Sequence, residues 1–275
     1  MSSSLDKQLL EYQSRPKDES GAVKTKQSLI FDPKKASFID SDTFYQIGYQ
    51  GFTELMKRDE RIAKFEDSIF AYANSQIDPL FLTAEENQKI FDKVEELLYL
   101  ISDYILFPET VQILEYLIQQ FAINRLRPGH LILIMIPYME TSFFVRVLQT
   151  IPFKSLPHEF KMLRPFSLVA SSKKTISRKI LKDWIESRTI LMQWLLSSAN
   201  KILELHPKGV FASFIGVLFT ELAVDSSNEI ILRAIVDSCK SSLNSNSPFL
   251  ALQTLMAVAT INEKKEMNQN ILKSF

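Results

Sequence analysis

From position 28 almost to the end of this chain, apolar side chains return every three or four residues, and the runs are closed mainly by proline or short polar turns. The clearest run is Ile90, Val94, Leu97, Ile101, Tyr104 and Ile105. Steps of three and four keep residues on one face of a helix, whereas a strand would alternate by two. Glycine points the same way. Six glycines in 275 residues is well below the usual ~7%, and sheets need glycine in their tight turns. The spacing therefore predicts an all-α chain.

Boundaries follow from the same reading. Residues 1–13 carry Leu5, Leu9 and Leu10 along one face, which predicts a short amphipathic helical arm. Residues 14–27 are polar, contain Pro16 and Gly21, and read as a linker. The body is expected over 28–275. Asp40 and Asp42 are N-cap candidates for a helix through Phe44, Ile47, Phe52 and Leu55. A shorter helical stretch holds Phe65, Ile69 and Phe70. Phe107-Pro108 turns the chain into a helix with Val111, Leu114, Leu117 and Phe121. A short buried helix follows Pro128-Gly129, breaks at Pro137, and gives way to one through Phe143, Val147 and Leu148. Pro152, Pro157 and Pro165 mark the most irregular part. A helical pattern resumes near Ser177 and runs through Trp184, Leu191 and Trp194 to Leu203, with restarts after Gly209, near Ser226 and near Pro248. Helices of roughly 12 to 20 residues joined by short turns, with a pair every ~35–45 residues, match an α-solenoid of HEAT-like antiparallel pairs. A compact bundle is the alternative; helix length and turn spacing favour the solenoid.

Charge and composition narrow the function. The 32 basic and 32 acidic residues cancel, so the chain lacks the global basic excess of strong nucleic-acid binders, and any RNA contact must be local. The single cysteine, Cys239, can form no internal disulfide and fits a core position in a reducing compartment. Met1-Ser2-Ser3-Ser4 lacks the apolar run of a secretory signal, and the run Leu131–Ile136 is too short to span a bilayer. Phosphate-binding, dinucleotide-binding, zinc-protease and serine-hydrolase motifs are absent from the sequence. The histidines, His130, His158 and His206, sit near turns without ligand-like spacing. The carboxylate pairs Glu66-Asp67, Glu85-Glu86 and Glu95-Glu96 read as solvated surface charge, since neighbours on a helix do not face each other. No enzyme activity, cofactor, metal, membrane or small-molecule substrate is expected.

Two groups remain as contact candidates. Lys173, Lys174, Arg178, Lys179 and Lys182 form a basic cluster that could grip RNA phosphates. Asp183 and Glu186 follow it and no aromatic residues interleave to stack bases, which favours a solvated helix start. Phe153, Leu156 and Phe160 could contact a partner protein or fold onto the core, and the second is favoured. Gly48 and Gly51 each cost a helix about 1 kcal/mol against alanine, which implies close approach of a neighbouring helix. Arg146, if buried among its apolar neighbours, would need a carboxylate such as Glu140.

Several stretches carry a family resemblance. They are Ser28-Leu-Ile-Phe-Asp-Pro-Lys-Lys-Ala36, Asp40-Ser-Asp-Thr43, Ile47-Gly-Tyr-Gln-Gly-Phe-Thr-Glu-Leu55, Leu114-Glu-Tyr-Leu-Ile-Gln-Gln-Phe121 and Ile136-Pro-Tyr-Met-Glu-Thr-Ser-Phe-Phe-Val-Arg-Val-Leu-Gln149, with Ser4-Leu-Asp-Lys-Gln-Leu9 in the arm. Together they resemble the N-terminal region of the HEAT-repeat small-subunit-processome family of yeast Utp ten and human HEAT-repeat-containing protein one. The likeness is strong over 28–150; beyond that only helical character agrees. The resemblance implies an N-terminal piece of a longer chain, and a nucleolar, non-catalytic scaffold in the UTP-A subcomplex. That scaffold would dock WD-repeat (β-propeller) subunits during early pre-rRNA processing and 40S ribosome biogenesis. Direct binding of pre-ribosomal RNA is the alternative.

Overall fold

A computed structural model describes residues 26–75, 82–206, 209–226, 228–243 and 248–265. The expected arm, and the expected linker as far as residue 25, lie outside the described residues. Every regular element among the described residues is helical.

Local chemistry sets the helix starts. Asp40 caps α1 (Ser41–Met56) by accepting from the Thr43 N–H at 2.7 Å; Asp42 is not a cap but lies in the first turn, where a carboxylate faces the positive end of the helix dipole. Thr83 and Glu86 form a reciprocal capping box at α2 (Ala84–Ile101). Pro108 occupies the first turn of α3 (Pro108–Phe121), as its missing N–H allows. Next come α4 (Pro128–Met135), almost wholly buried, and α5 (Ser142–Thr150), capped by Thr141. The stretch expected to be irregular contains a helix, α6 (Arg164–Ser172), because Pro165 falls in its first turn, where proline is tolerated. The helix expected from Ser177 to Leu203 is two, α7 (Arg178–Ser187) and α8 (Thr189–Leu205), separated at Arg188, whose backbone is extended. Neither glycine nor proline marks that break. The last described elements are α9 (Val210–Asp225), α10 (Glu229–Leu243) and α11 (Pro248–Lys265). Cys239 falls in α10, but its side chain is outside the described residues.

The stretch of Phe65, Ile69 and Phe70 is less helical than its apolar spacing implies. Only Glu60–Phe65 winds, as a 3-10 turn. The carbonyls of Ile69 and Phe70 are taken instead by the hydroxyls of Tyr116 (3.2 Å) and Tyr45 (3.0 Å) from the packed helices. Those carbonyls would otherwise be buried without partners.

Helices pack against their neighbours, as in α5–α6, α7–α8 and α10–α11, and also against the next but one, as in α1–α3, α2–α4, α8–α10 and α9–α11. This double pattern is that of a helical solenoid, in which each pair stacks on the next. The α1–α3 crossing is the tightest part. A β-carbon on Gly48 would lie 2.3 Å from Tyr116 Cβ, and one on Gly51 2.5 Å from the Glu109 carbonyl oxygen. Both glycines are therefore required by the close approach expected for them. Around the crossing, Phe52 and Phe70 stack at 4.2 Å, and Tyr116 meets Tyr45 edge-on at 5.9 Å.

Contacts distant in sequence also join helices that are not neighbours in the stack. The Asp103 carboxylate accepts from the Val210 N–H at 2.7 Å, so it caps α9 from 107 residues away, and lies 2.8 Å from His206 Nε2. Lys201 on α8 reaches Glu95 on α2 at 3.0 Å. A stack joined only through successive repeats would have no such links.

Candidate interaction surface

The face around α6 and the start of α8 is open. Phe166 and Val169 of α6 point inward, as do Leu191 and Met192 of α8. Leu168 and Ile190 lie off those buried stripes and are each 63% exposed. Both line a groove of about 690 Å³, together with Met162, Pro165 and Leu191. Lys161, Arg164 and Arg188 stand on its rim, and no carboxylate lines it. Arg188 is held in place: Nη1 donates to Ser187 Oγ at 2.9 Å, and the guanidinium lies 5.9 Å from the centre of the Trp184 ring. A second concavity of similar volume shares Arg164 and Ser167 and continues toward Ile151, Phe153 and Lys154, again without a carboxylate.

The residues anticipated as contacts are distributed differently. Phe153, Leu156 and Phe160 are half-buried and pack against the core, and Phe153 also lines the second concavity. The five basic residues do not form one free patch. Arg178 pairs with Glu221 of α9 at 3.0 Å, and Lys182 with Asp225 at 2.5 Å and Glu221 at 3.3 Å. Those carboxylates hold the Lys182 ammonium above its usual pKa, the hydrogen bond to Asp225 contributing most. Lys173, Lys174 and Lys179 are exposed, and Lys173 ends α6 with a left-handed backbone at φ 57°. The groove residues Leu168 and Ile190 were legible only as apolar side chains out of phase with their helix stripes.

Other polar residues serve the fold. Glu95 is a correction to the surface reading of the carboxylate pairs: it is buried between Arg127 (3.3 Å), His130 (3.3 Å) and Lys201 (3.0 Å). Burial holds the His130 pKa below the ordinary value, outweighing the attraction of Glu95, so the ring is neutral at pH 7. Glu115 is fully buried and accepts from the Leu29 N–H at 2.6 Å; Gln119 donates to it at 3.0 Å and to the Gln27 carbonyl at 2.6 Å. These two residues of the 114–121 motif thus fasten the start of the body to α3. In the 136–149 motif, Tyr138 donates to the Ser102 carbonyl at 2.7 Å, while Phe144, Val147 and Leu148 are buried. Arg146 is exposed, because the helical phase turns it away from those neighbours, and it needs no buried partner. Among the described residues, no group of histidine, cysteine and carboxylates has metal-binding geometry, and no helix is long and apolar enough to cross a membrane.

No family model matches the chain. Among curated proteins, it is 37% identical over 140 residues to U3 small nucleolar RNA-associated protein 10 of Aspergillus fumigatus, a match covering 51% of this chain and 8% of the relative. The protein of the same name from Emericella nidulans is 30% identical over 206 residues, 73% of this chain and 11% of the relative. Human HEAT repeat-containing protein 1 is 27% identical over 256 residues, 90% of this chain and 12% of the relative. The chain therefore spans about a tenth of the length of the relatives it matches. The similarity to the human protein extends over nine-tenths of the chain, and the stacked helices are those of a repeat protein. By sequence and by fold, this chain belongs to the family of U3 small nucleolar RNA-associated protein 10 and HEAT repeat-containing protein 1.

Proposed function

We propose that this chain is a non-catalytic scaffold module of the UTP-A subcomplex of the small-subunit processome. It works in the nucleolus, where it docks a WD-repeat partner during early pre-rRNA processing and 40S ribosome biogenesis. The observation that carries this reading is the similarity to proteins named for association with the U3 small nucleolar RNA. The fold supports it: the polar clusters at Glu95, Asp103 and Glu115 all tie helices together, and a helical stack offers long surfaces for partners. Direct binding of pre-rRNA through Lys173, Lys174, Arg178, Lys179 and Lys182 is less well supported, because Arg178 and Lys182 already face Glu221 and Asp225. The test is an affinity pull-down of the chain from nuclear extract, with and without ribonuclease, read by mass spectrometry. WD-repeat subunits retained after RNA is destroyed support the scaffold reading. Loss of every partner with the RNA overturns it and turns attention to the basic cluster.

A further inference from the structure

Leu168 and Ile190 are each 63% exposed and line one groove. Isolated exposed apolar residues are ordinary, but two of them lining one groove together with Met162, Pro165 and Leu191 form a place where a partner's side chains can leave water. The charge around that groove is of one sign. Lys161 and Arg188 rim the first concavity, Lys154 the second, and Arg164 stands where the two meet. Among the described residues none of these four is paired with a carboxylate, whereas Arg178 and Lys182 on the neighbouring helix are. Glu159 and Glu186, the carboxylates nearest in sequence, do not line either concavity. In a chain whose charges balance overall, this is a local positive field over an apolar trough.

Building on the scaffold role above, we propose that the groove between α6 and the start of α8 docks an acidic, leucine-bearing helical segment of a partner protein. The trough lined by Leu168 and Ile190 takes apolar side chains spaced three or four residues apart, the spacing at which a helix presents one face. Lys161, Arg164 and Arg188 meet carboxylates on the flanks of that segment and set its orientation. Arg188 is already positioned by Ser187 and Trp184, so little side-chain freedom is lost on binding. RNA is the poorer occupant, because the first groove has no aromatic lining on which bases could stack.

The probe is a fluorescein-labelled helical peptide of roughly a dozen residues, with leucines four apart and glutamates elsewhere, titrated with the chain by fluorescence anisotropy. The glutamate peptide should bind, weakening as salt rises, while its lysine counterpart and a uridine oligomer of similar length bind at least about tenfold more weakly. Leu168→Asp and Ile190→Asp should each lose about tenfold in affinity. The double change Arg164→Glu with Arg188→Glu should reject the glutamate peptide and accept the lysine one. All four positions are exposed, and an unchanged thermal melt checks that the variants fold. Failure of the glutamate peptide to bind, tighter binding of the RNA, or indifference to these substitutions overturns the assignment. The same variants in the ribonuclease-treated pull-down separate the two proposals. If the double variant keeps every ribonuclease-resistant partner, the groove is wrong and the scaffold reading stands. If the unmodified chain keeps no partner, the scaffold reading itself fails.

Discussion

The α1–α3 crossing and the α6–α8 groove are built from the same kind of amphipathic helix, yet one closes completely and the other stays open. At the crossing, two glycines remove the side chains that would hold the helices apart, and Tyr116 fills the space gained. The polar groups there are satisfied inside the body, with Glu115 binding the Leu29 N–H and tyrosine hydroxyls taking the Ile69 and Phe70 carbonyls. At the groove, Leu168 and Ile190 leave apolar surface in water beside cations that meet no carboxylate among the described residues. A helix face becomes core or contact surface according to whether a neighbouring backbone can approach it, and small residues at the contact set that distance.

The contrast is sharpest when the crossing is blocked. Gly48→Ala places a methyl group 2.3 Å from Tyr116 Cβ, and should destabilise the chain by about 3 kcal/mol in urea unfolding despite alanine's better helix propensity. An unchanged midpoint would mean that the crossing yields easily. Glu115→Ala leaves the Leu29 N–H buried without its acceptor, at a cost of roughly 2 kcal/mol. Hydrogen exchange at that amide should quicken first, and uniform protection would argue against the staple. The node around Glu95 gives a pH signature. His130 titrates lower in the folded chain than unfolded, so the unfolded chain binds the proton more readily and stability falls as pH drops through and below ~6.5. His130→Gln should flatten that part of the stability–pH curve; an unaltered slope would assign it to other groups. The smallest change belongs to the groove, where Leu168→Ser should shift stability by no more than roughly 0.5 kcal/mol. A large loss there would show that the open face is core after all.

Much of the body was legible because helix signals are local. Apolar spacing, Asp40 as a cap and Pro108 at a helix start all act within a turn or two of the chain. Gly48 and Gly51 could be read as a contact because glycine inside a helical pattern is costly without one. The break at Arg188 and the helix containing Pro165 could not be placed this way. Nothing in the chain around Arg188 forbids helix, and proline breaks or starts one according to the register it falls in. Glu95 and Glu96 adjoin in sequence but have different fates, the first buried among Arg127, His130 and Lys201 and the second facing Lys64 and Lys93 at the surface. Likewise, Arg178 and Lys182 form a basic cluster only until α9 brings Glu221 and Asp225 beside them.

Sequence alone determined that this chain is a succession of helices of a recognisable family, because period, caps and motifs are properties of neighbouring residues. Only the tertiary structure decided which charges are neutralised, which carboxylates are buried and which apolar face is left open. Those outcomes depend on residues as far apart as Asp103 and Val210 meeting in space, and a side chain's burial and partners are set by what packs against it rather than by its neighbours in the chain.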